Sequence, residues 1–222
     1  TADYLKLISS KTGLTFEVAP QLTWPQAYDK ALNRELDMLP AISKTPEREQ
    51  HFLFSEPYYQ FKRVLVLRDT EKSISGILDL ERETIAVQRN SSHHSYLLGF
   101  PKINLSLYDS VEVALTAVAN GTEKAFLGNL ATTNYLIRAN GLSNLKFVAF
   151  EAEKQQSLYF AVRTDWAPLV TVLNKALATI TMEQRMDISS KWIDLETETD
   201  YGPIVRVVAV LGAIAAVILG VS

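Results

Sequence analysis

Residues 37–59 read DMLPAISKTPEREQHFLFSEPYY, and this stretch decides how the rest of the chain is interpreted. It opens with apolar residues typical of a short strand, predicted over Asp37–Ile42, and continues into a polar loop that contains Arg48. Loops that follow strands are where α/β folds bind ligands. An arginine there can hold a carboxylate through two parallel charge-assisted hydrogen bonds. The alternative is an exposed arginine paired with Glu47 or Glu49.

Outward from this stretch, predicted strands and helices alternate along the chain. The predicted strands share alternating or continuous apolar residues, and they are Thr15–Ala19, Phe61–Arg68, Glu83–Arg89, Ile103–Tyr108, Lys124–Leu127, Leu145–Phe150 and Ser157–Arg163. Helical patterns lie between them. One begins at Thr23-Trp24-Pro25-Gln26, a capping box with proline in the first turn. The alternation predicts an α/β fold with largely parallel sheets.

Two further polar groups follow predicted strands. The sequence NSSHH at residues 90–94 follows one strand, and Gly128-Asn129 follows another. Small hydroxyl residues and unpaired amides at the start of a helix can hold an anion. The simpler interpretations are a helix N-cap for the first group and a turn for the second. The two adjacent histidines point in different directions on a helix, so a shared metal site is not expected.

Composition excludes several classes of protein. The chain has 222 residues with a net charge of −3, 47% hydrophobic and 21% charged, which excludes general disorder and argues against nucleic acid as the main partner. The lack of cysteine excludes disulfide scaffolds, thiol nucleophiles, zinc fingers and iron–sulfur clusters. No glycine-rich phosphate loop, nucleophile elbow or HExxH motif is present in the sequence. Neither a cofactor nor a metal is therefore expected.

The C-terminal segment, residues 203–222, differs from the rest of the chain. Every residue from Val207 to Leu219 is apolar, and Arg206 alone interrupts the apolar stretch that begins at Pro203. A complete membrane span needs about 20 apolar residues. The segment therefore predicts the first part of a transmembrane helix, and the alternative is a buried terminal helix.

The string at residues 37–59 resembles the family 3 extracellular solute-binding proteins. The resemblance continues in the family's order with TIAVQ at 84–88, VANGTEKAFLGN at 118–129, LYFAVR at 158–163 and ISSKWI at 188–193. It covers about residues 1–195. The variant AFLGNLATTNYLI at 125–137, with an apolar segment soon after it, is similar to Venus-flytrap sensor domains of bacterial histidine kinases and related membrane signalling proteins.

The resemblance implies a type II periplasmic-binding-protein fold, in which two α/β lobes joined by two crossing strands hold a ligand in a cleft. Lobe 1 is expected over 1–68 plus 158–198 and lobe 2 over 69–157, with the partial transmembrane helix at 203–222. The family's first strand has no counterpart before the first helix of this sequence. The first lobe is therefore expected either to lack one strand or to receive it from a region supplied separately.

The resemblance also implies ligand-binding residues on the first lobe. Arg48 matches the arginine that grips the ligand carboxylate. Ser43 matches a hydroxyl donor to the same carboxylate, and Ala41 stands where another donor often lies.

On the second lobe the resemblance implies three more residues. Ser92, with Ser91 beside it, matches the hydroxyl that closes over the carboxylate. Asn129 stands where amino-acid binders commonly place an aspartate for the ligand ammonium. A neutral amide cannot offset a buried cation as a carboxylate does. The expected ligand is therefore a carboxylate without an ammonium, or the site is weakly specific.

The function implied is a periplasmic ligand-sensing domain, tethered to the bacterial inner membrane, which passes lobe closure to a signalling protein. Its partners would be a small-molecule ligand (an amino acid or other carboxylate), the membrane through the C-terminal helix, and a second copy through the full-length protein. Nucleic acid is not expected. One alternative is the solute-binding protein of an amino-acid-type ABC transporter. Another is an enzyme on the same fold, a dehydratase or a lytic transglycosylase-associated domain, with Glu56 or His93 as acid or base. A third is a flytrap domain that only transmits contacts with a protein partner.

Overall fold

The computed structural model describes residues 1–148 and 156–192. The chain divides into two compact units, Thr1–Ile188 and Ser189–Ser222, and the fold below is that of the first unit. The partial transmembrane helix predicted at 203–222 lies outside the described residues. Within the part of the chain that is described, no helix combines the length and the apolar character needed to cross a bilayer.

Strands and α-helices alternate between residues 84 and 148, as the sequence predicted, whereas the four strands between residues 38 and 68 have no α-helix between them. The helices are α1 (Ala2–Thr12), α2 (Trp24–Leu32), α3 (Ser92–Leu97), α4 (Val111–Ala119), α5 (Leu130–Ala139), α6 (Ala167–Ala178) and α7 (Met182–Trp192). The strands are β1 (Met38–Ile42), β2 (Phe52–Phe54), β3 (Tyr59–Phe61), β4 (Arg63–Arg68), β5 (Thr84–Gln88), β6 (Asn104–Tyr108), β7 (Ala125–Asn129), β8 (Leu145–Val148) and β9 (Gln156–Arg163).

The first sheet is built around β9. This strand pairs antiparallel with β1, β2 and β3. Its alternating side chains reach two cores, because successive residues of a strand point to opposite faces. Phe160 and Val162 pack against α1 and α6, and Ala161 packs against α2 on the other face. The first sheet is therefore covered by helices on both faces.

The second sheet has the strand order β6-β5-β7-β4-β8. Strand β5 is parallel to β6 and β7, whereas β4 is antiparallel to β7 and β8. Leu65 and Leu67 of β4 face the core that includes α3, and Val64 and Val66 face the core of α4 and α5. All four side chains are almost fully buried, so β4 is a central strand with helices on both faces.

Two expectations from the sequence are wrong. The sheets are not largely parallel. In the first sheet β9 pairs antiparallel with its neighbours, and in the second sheet β4 does so. The predicted strand Thr15–Ala19 is not formed. Only Phe16 of that segment packs against the core of α1 and α6, while Val18 is 77% exposed. The alternation of apolar and polar residues in this segment is thus accompanied by one core contact, that of Phe16, and not by pairing with another strand.

The predicted strand Phe61–Arg68 is two strands, β3 and β4, separated by Lys62. Strand β3 belongs to the first sheet and β4 to the second, so the chain passes from one sheet to the other at Lys62. The predicted limits of the two lobes stay a prediction. The sheet membership of β4 favours a first limit at Lys62.

The start of α2 has the predicted capping box. The hydroxyl of Thr23 accepts from the backbone N–H of Gln26, and the Gln26 side chain accepts from the backbone N–H of Thr23 at 2.9 Å. Pro25 lies in the first turn, where its missing N–H costs nothing. The box fixes the position of Trp24, the first residue of the helix.

Candidate functional site

Arg48 begins a short 3-10 turn, Arg48–Gln50, in the loop between β1 and β2, and is only 3% exposed. Its Nη1 donates to the carbonyl oxygen of Ser43 at 2.7 Å, and its Nη2 donates to the carbonyl oxygen of Asn90 at 2.7 Å. Ser43 follows β1 of the first sheet, and Asn90 follows β5 of the second. The guanidinium therefore joins strand ends of the two sheets.

The alternative of an exposed Arg48 paired with a neighbouring glutamate is not found. Glu49 pairs with Lys44 instead, at 2.7 Å. No carboxylate of residues 1–148 or 156–192 forms an ion pair with Arg48. Burial lowers the pKa of Arg48, an effect partly opposed by Tyr28 and by the charge of Glu47. The site is thus built around a buried cation.

Two aromatic rings of α2 flank this cation. The guanidinium carbon of Arg48 lies 5.4 Å from the ring centre of Tyr28 and 5.9 Å from that of Trp24. The faces of such rings attract cations. Burial raises the pKa of the Tyr28 phenol, and the nearby Arg48 partly opposes this rise. The Trp24 indole N–H also donates to the carbonyl oxygen of Asn90, at 3.1 Å. The capping-box pattern predicts the position of Trp24 at the start of α2 but not its contact with Asn90.

The predicted residues of the first lobe lie together. Ser43 is buried, and its carbonyl oxygen accepts from Arg48. Ala41 is half-buried in β1, two residues before Ser43. The order of these residues along the chain is enough to bring them together, because all three belong to one strand–loop unit.

The turn between β5 and α3 carries the second predicted group. Ser91 is buried, and its Oγ accepts from the backbone N–H of His94 at 3.1 Å, so Ser91 is the N-cap of α3. Ser92 is the first residue of the helix and is half-buried. The hydrogen bond from Arg48 to Asn90 holds this turn beside the first-lobe group.

Asn129 is the last residue of β7 and the N-cap of α5. Its Oδ1 accepts from the backbone N–H groups of Ala131 at 2.9 Å and Thr132 at 3.2 Å. The amide oxygen is therefore committed to the helix, and the group that remains available is the Nδ2 donor. Asn129 lies opposite Arg63 in the strand ladder. The hydrogen bonds of the described residues do not join Asn129 to Arg48, so its share in the site stays a prediction.

A buried arginine–histidine pair, which no sequence pattern predicts, lies beside the turn between β5 and α3. Arg63 donates from Nε to Nδ1 of His93 at 3.2 Å, and its guanidinium carbon lies 3.8 Å from the ring centre of Tyr96. Burial and the charges of Arg63 and Arg48 lower the pKa of His93 to about 3, so its imidazole is neutral near pH 7. No local pattern links Arg63 to His93, because they are separated by 30 positions and meet only through the second sheet.

The two residues considered for acid or base chemistry have different surroundings. His93 is neutral, and its Nδ1 accepts from Arg63. Glu56 is exposed between β2 and β3, where its backbone N–H donates to Asn174 of α6 at 2.7 Å. Among the described residues, no group of three or more acidic or histidine side chains is placed to hold a metal ion.

Comparison with known proteins gives concordant matches. The profile of the bacterial extracellular solute-binding proteins, family 3, matches residues 1–195. The virulence sensor protein BvgS of Bordetella pertussis is 26% identical over 193 residues, which are 86% of this chain and 16% of the sensor. The ABC transporter arginine-binding protein 1 of Escherichia coli is 30% identical over 154 residues, 67% of this chain and 62% of that protein.

A solved structure extends these matches to the fold. The crystal structure of a histidine kinase sensor domain with similarity to periplasmic binding proteins gives a TM-score of 0.78 at 26% identity, covering 87% of this chain and 85% of that chain. The predicted two-lobed periplasmic-binding-protein fold is thereby confirmed. We use first lobe and second lobe for the parts built on the first and second sheets. The chain spans about 16% of the length of the curated sensor it matches.

Proposed function

Because the chain belongs to the bacterial extracellular solute-binding proteins, family 3, we propose that it is the ligand-sensing domain of a membrane-anchored signalling protein. It binds a small solute that carries a carboxylate between its two lobes. The family and its sensor relatives imply an extracellular or periplasmic location. The same proposal includes three further features: tethering to the inner membrane through residues 203–222, transmission of lobe closure, and dimerisation through the full-length protein.

The observation that carries the proposal is the environment of Arg48. Its buried guanidinium lies where strand ends of both lobes meet, and its hydrogen-bond partners there are the carbonyl oxygens of Ser43 and Asn90. A buried charge is costly unless it is paired. A ligand carboxylate would supply the opposite charge and could use the remaining N–H groups of the planar fork.

The other predicted residues favour a carboxylate without an ammonium. The hydroxyl groups of Ser43 and Ser92 can donate to a carboxylate. The Oδ1 atom of Asn129 is committed to the N-terminus of α5, which leaves its Nδ2 donor for a ligand. An ammonium needs an acceptor, and Asn129 offers a donor in its place. The chain therefore suits a ligand whose polar groups are acceptors.

A second candidate function is that of a transport binding protein. The observation in its favour is the 30% identity to an arginine-binding protein of Escherichia coli over 62% of that protein. Such a protein would use the same cleft, and arginine is therefore included among the test solutes. Strong binding of arginine would favour this candidate over a sensor for a carboxylate without an ammonium.

The test is the ligand-induced shift in thermal unfolding of the 222-residue chain with glutarate, 3-phenylpropionate, glutamate and arginine. A ligand at a hundred times its Kd stabilises the folded state by about 2.7 kcal/mol. Arg48→Ala should abolish the shift given by an acid, and Arg48→Lys should weaken it because lysine lacks the planar fork. Arg138→Ala, at an exposed arginine in the last turn of α5, is the matched control and should keep it. An equal shift in the Arg48→Ala and Arg138→Ala variants would contradict the site.

A further inference from the structure

One backbone carbonyl of the second lobe accepts two hydrogen bonds from the first lobe. The carbonyl oxygen of Asn90 accepts one hydrogen bond from Nη2 of Arg48 at 2.7 Å and another from the indole N–H of Trp24 at 3.1 Å. A carbonyl oxygen has two lone pairs, so both of its acceptor positions are used. Groups of the chain itself thus join the two lobes beside the site proposed for the ligand.

The backbone of Asn90 gives this carbonyl its direction. Its φ is 58°, in the left-handed region that most residues avoid and asparagine tolerates. The next residue, Ser91, donates its backbone N–H to Gln88 at 3.2 Å and caps α3 with its side chain. The carbonyl is therefore oriented by a turn of the second lobe and does not depend on the asparagine side chain.

The donor Trp24 is held in place by contacts within the first lobe. Trp24 is held at the start of α2 by the capping box of Thr23, and its ring also lies beside the guanidinium of Arg48. A half-buried indole N–H normally finds an acceptor, and here the acceptor is across the cleft. The Trp24 ring flanks the Arg48 guanidinium of the carboxylate site, and a phenylalanine at this position would keep an aromatic ring there. The indole N–H is thus a contact between lobes that Trp24→Phe removes while an aromatic ring stays beside Arg48.

We propose that the Asn90 carbonyl, with Trp24 and Arg48 as its donors, is a built-in latch that favours the closed arrangement of the lobes before a ligand binds. The role of the latch in ligand sensing rests on the proposed function, because both concern the same cleft. The closing of the lobes by the latch does not rest on it. A ligand shifts an equilibrium only by its difference in affinity for the two arrangements. With the latch, a ligand that prefers the closed arrangement increases a closed population that already exists, and this increase is the lobe closure that the proposed function transmits.

The lack of cysteine makes closure measurable by spin labels at two introduced cysteines. Asp29→Cys on α2 and Glu112→Cys on α4 are exposed positions on the two lobes. Their distance distribution is measured by pulsed electron paramagnetic resonance on the 222-residue chain without added solute. The parent should give mainly the short distance. Trp24→Phe should raise the open-to-closed ratio about twofold to tenfold, as expected for one hydrogen bond. Trp166→Phe, at an exposed tryptophan outside the latch, should not change it.

A second pair of variants tests the backbone of Asn90 without changing a donor. Asn90→Gly keeps the left-handed conformation and the carbonyl, so it should behave like the parent. Asn90→Val disfavours that conformation, because a β-branched residue is strained there, and should resemble Trp24→Phe. Thermal unfolding shows whether each variant folds. If Asn90→Val does not fold, the test of the latch rests on Trp24→Phe.

The latch is overturned if the parent gives mainly the long distance, or if folded Trp24→Phe gives the parent's distribution. Calorimetric titration with glutarate separates this inference from the proposed function. A latch without carboxylate binding would contradict the proposed function alone. Carboxylate binding that needs Arg48, in a domain that opens freely, would contradict the latch alone.

Discussion

Replacing Asn129 with aspartate tests the predicted place of this residue in the site together with the proposed ligand class. The Oδ1 atom of Asn129 caps α5 through hydrogen bonds of 2.9 and 3.2 Å. Aspartate presents the same oxygen, and the two residues are equally good N-caps. What changes is the other atom, because the Nδ2 donor becomes a charged oxygen acceptor. We therefore expect Asn129→Asp to keep the fold and to provide the acceptor that an ammonium needs.

The size of the effect follows from the position of Asn129. A hydrogen bond to a charged group contributes about 1.5–3 kcal/mol, which is about 10- to 150-fold in affinity. Asn129 is half-buried, so we expect the lower end, about a 10-fold gain in affinity for an α-amino acid. The acid without the ammonium should lose affinity, because the new charge repels its carboxylate. The helix N-terminus favours the new carboxylate, so the free energy of unfolding should change by less than about 1 kcal/mol.

The assay is calorimetric titration with pairs of solutes that differ in the α-ammonium: glutamate with glutarate, and phenylalanine with 3-phenylpropionate. The quantity compared is the ratio of the two affinities within a pair. Asn104→Asp, at an exposed residue that starts β6, is the matched control and should leave the ratio unchanged. If Asn129→Asp also leaves both ratios unchanged, Asn129 does not face the ligand and the argument for the ligand class is wrong.

Three further predictions concern stability, each measured by urea unfolding. Thr23→Ala removes the N-cap of α2 and should lower the free energy of unfolding by about 1 kcal/mol; no change would mean that the capping box does not stabilise the domain. Gly128→Ala places a Cβ atom 2.4 Å from Cε1 of the buried ring of Phe126 and should cost about 1–3 kcal/mol, so wild-type stability would contradict the packing described. The pKa of His93 is about 3 in the folded state, against 6.5 ordinarily. Between these pH values the unfolded state binds more protons than the folded state, so the free energy of unfolding should fall by about 3 kcal/mol from pH 7 to pH 4. His93→Asn should remove most of that fall and exposed His51→Asn should keep it; equal slopes for the two variants would refute the assignment.

The sequence predicts those features that depend on neighbours along the chain. The capping box of α2 and the grouping of Ser43 with Arg48 are of this kind, and both are found. Features that depend on distant partners are missed. The contacts of Asn90 with Arg48 and Trp24 join residues 42 and 66 positions apart, and no local pattern encodes them.

The same distinction explains the errors in the sheets. Hydrophobic alternation indicates where a strand can form, but not which strand it pairs with or in which direction. The pattern at Thr15–Ala19 satisfied the local rule without a pairing partner among the described residues. Strand β9 was correctly located, yet its antiparallel pairing with three strands could not be read from its own residues.

The position of β9 has a consequence for the order in which the protein folds during synthesis. The strands of the second sheet, β4 to β8, are consecutive along the chain, so that sheet is complete before β9 leaves the ribosome. The first sheet cannot form until then, because every described strand of it pairs with β9. Contacts between distant residues form slowly, and unpaired strands are prone to aggregate. We expect nascent chains stalled before β9 emerges to protect the second lobe from protease while β1, β2 and β3 are still cleaved; protection of both lobes at that length would contradict this order.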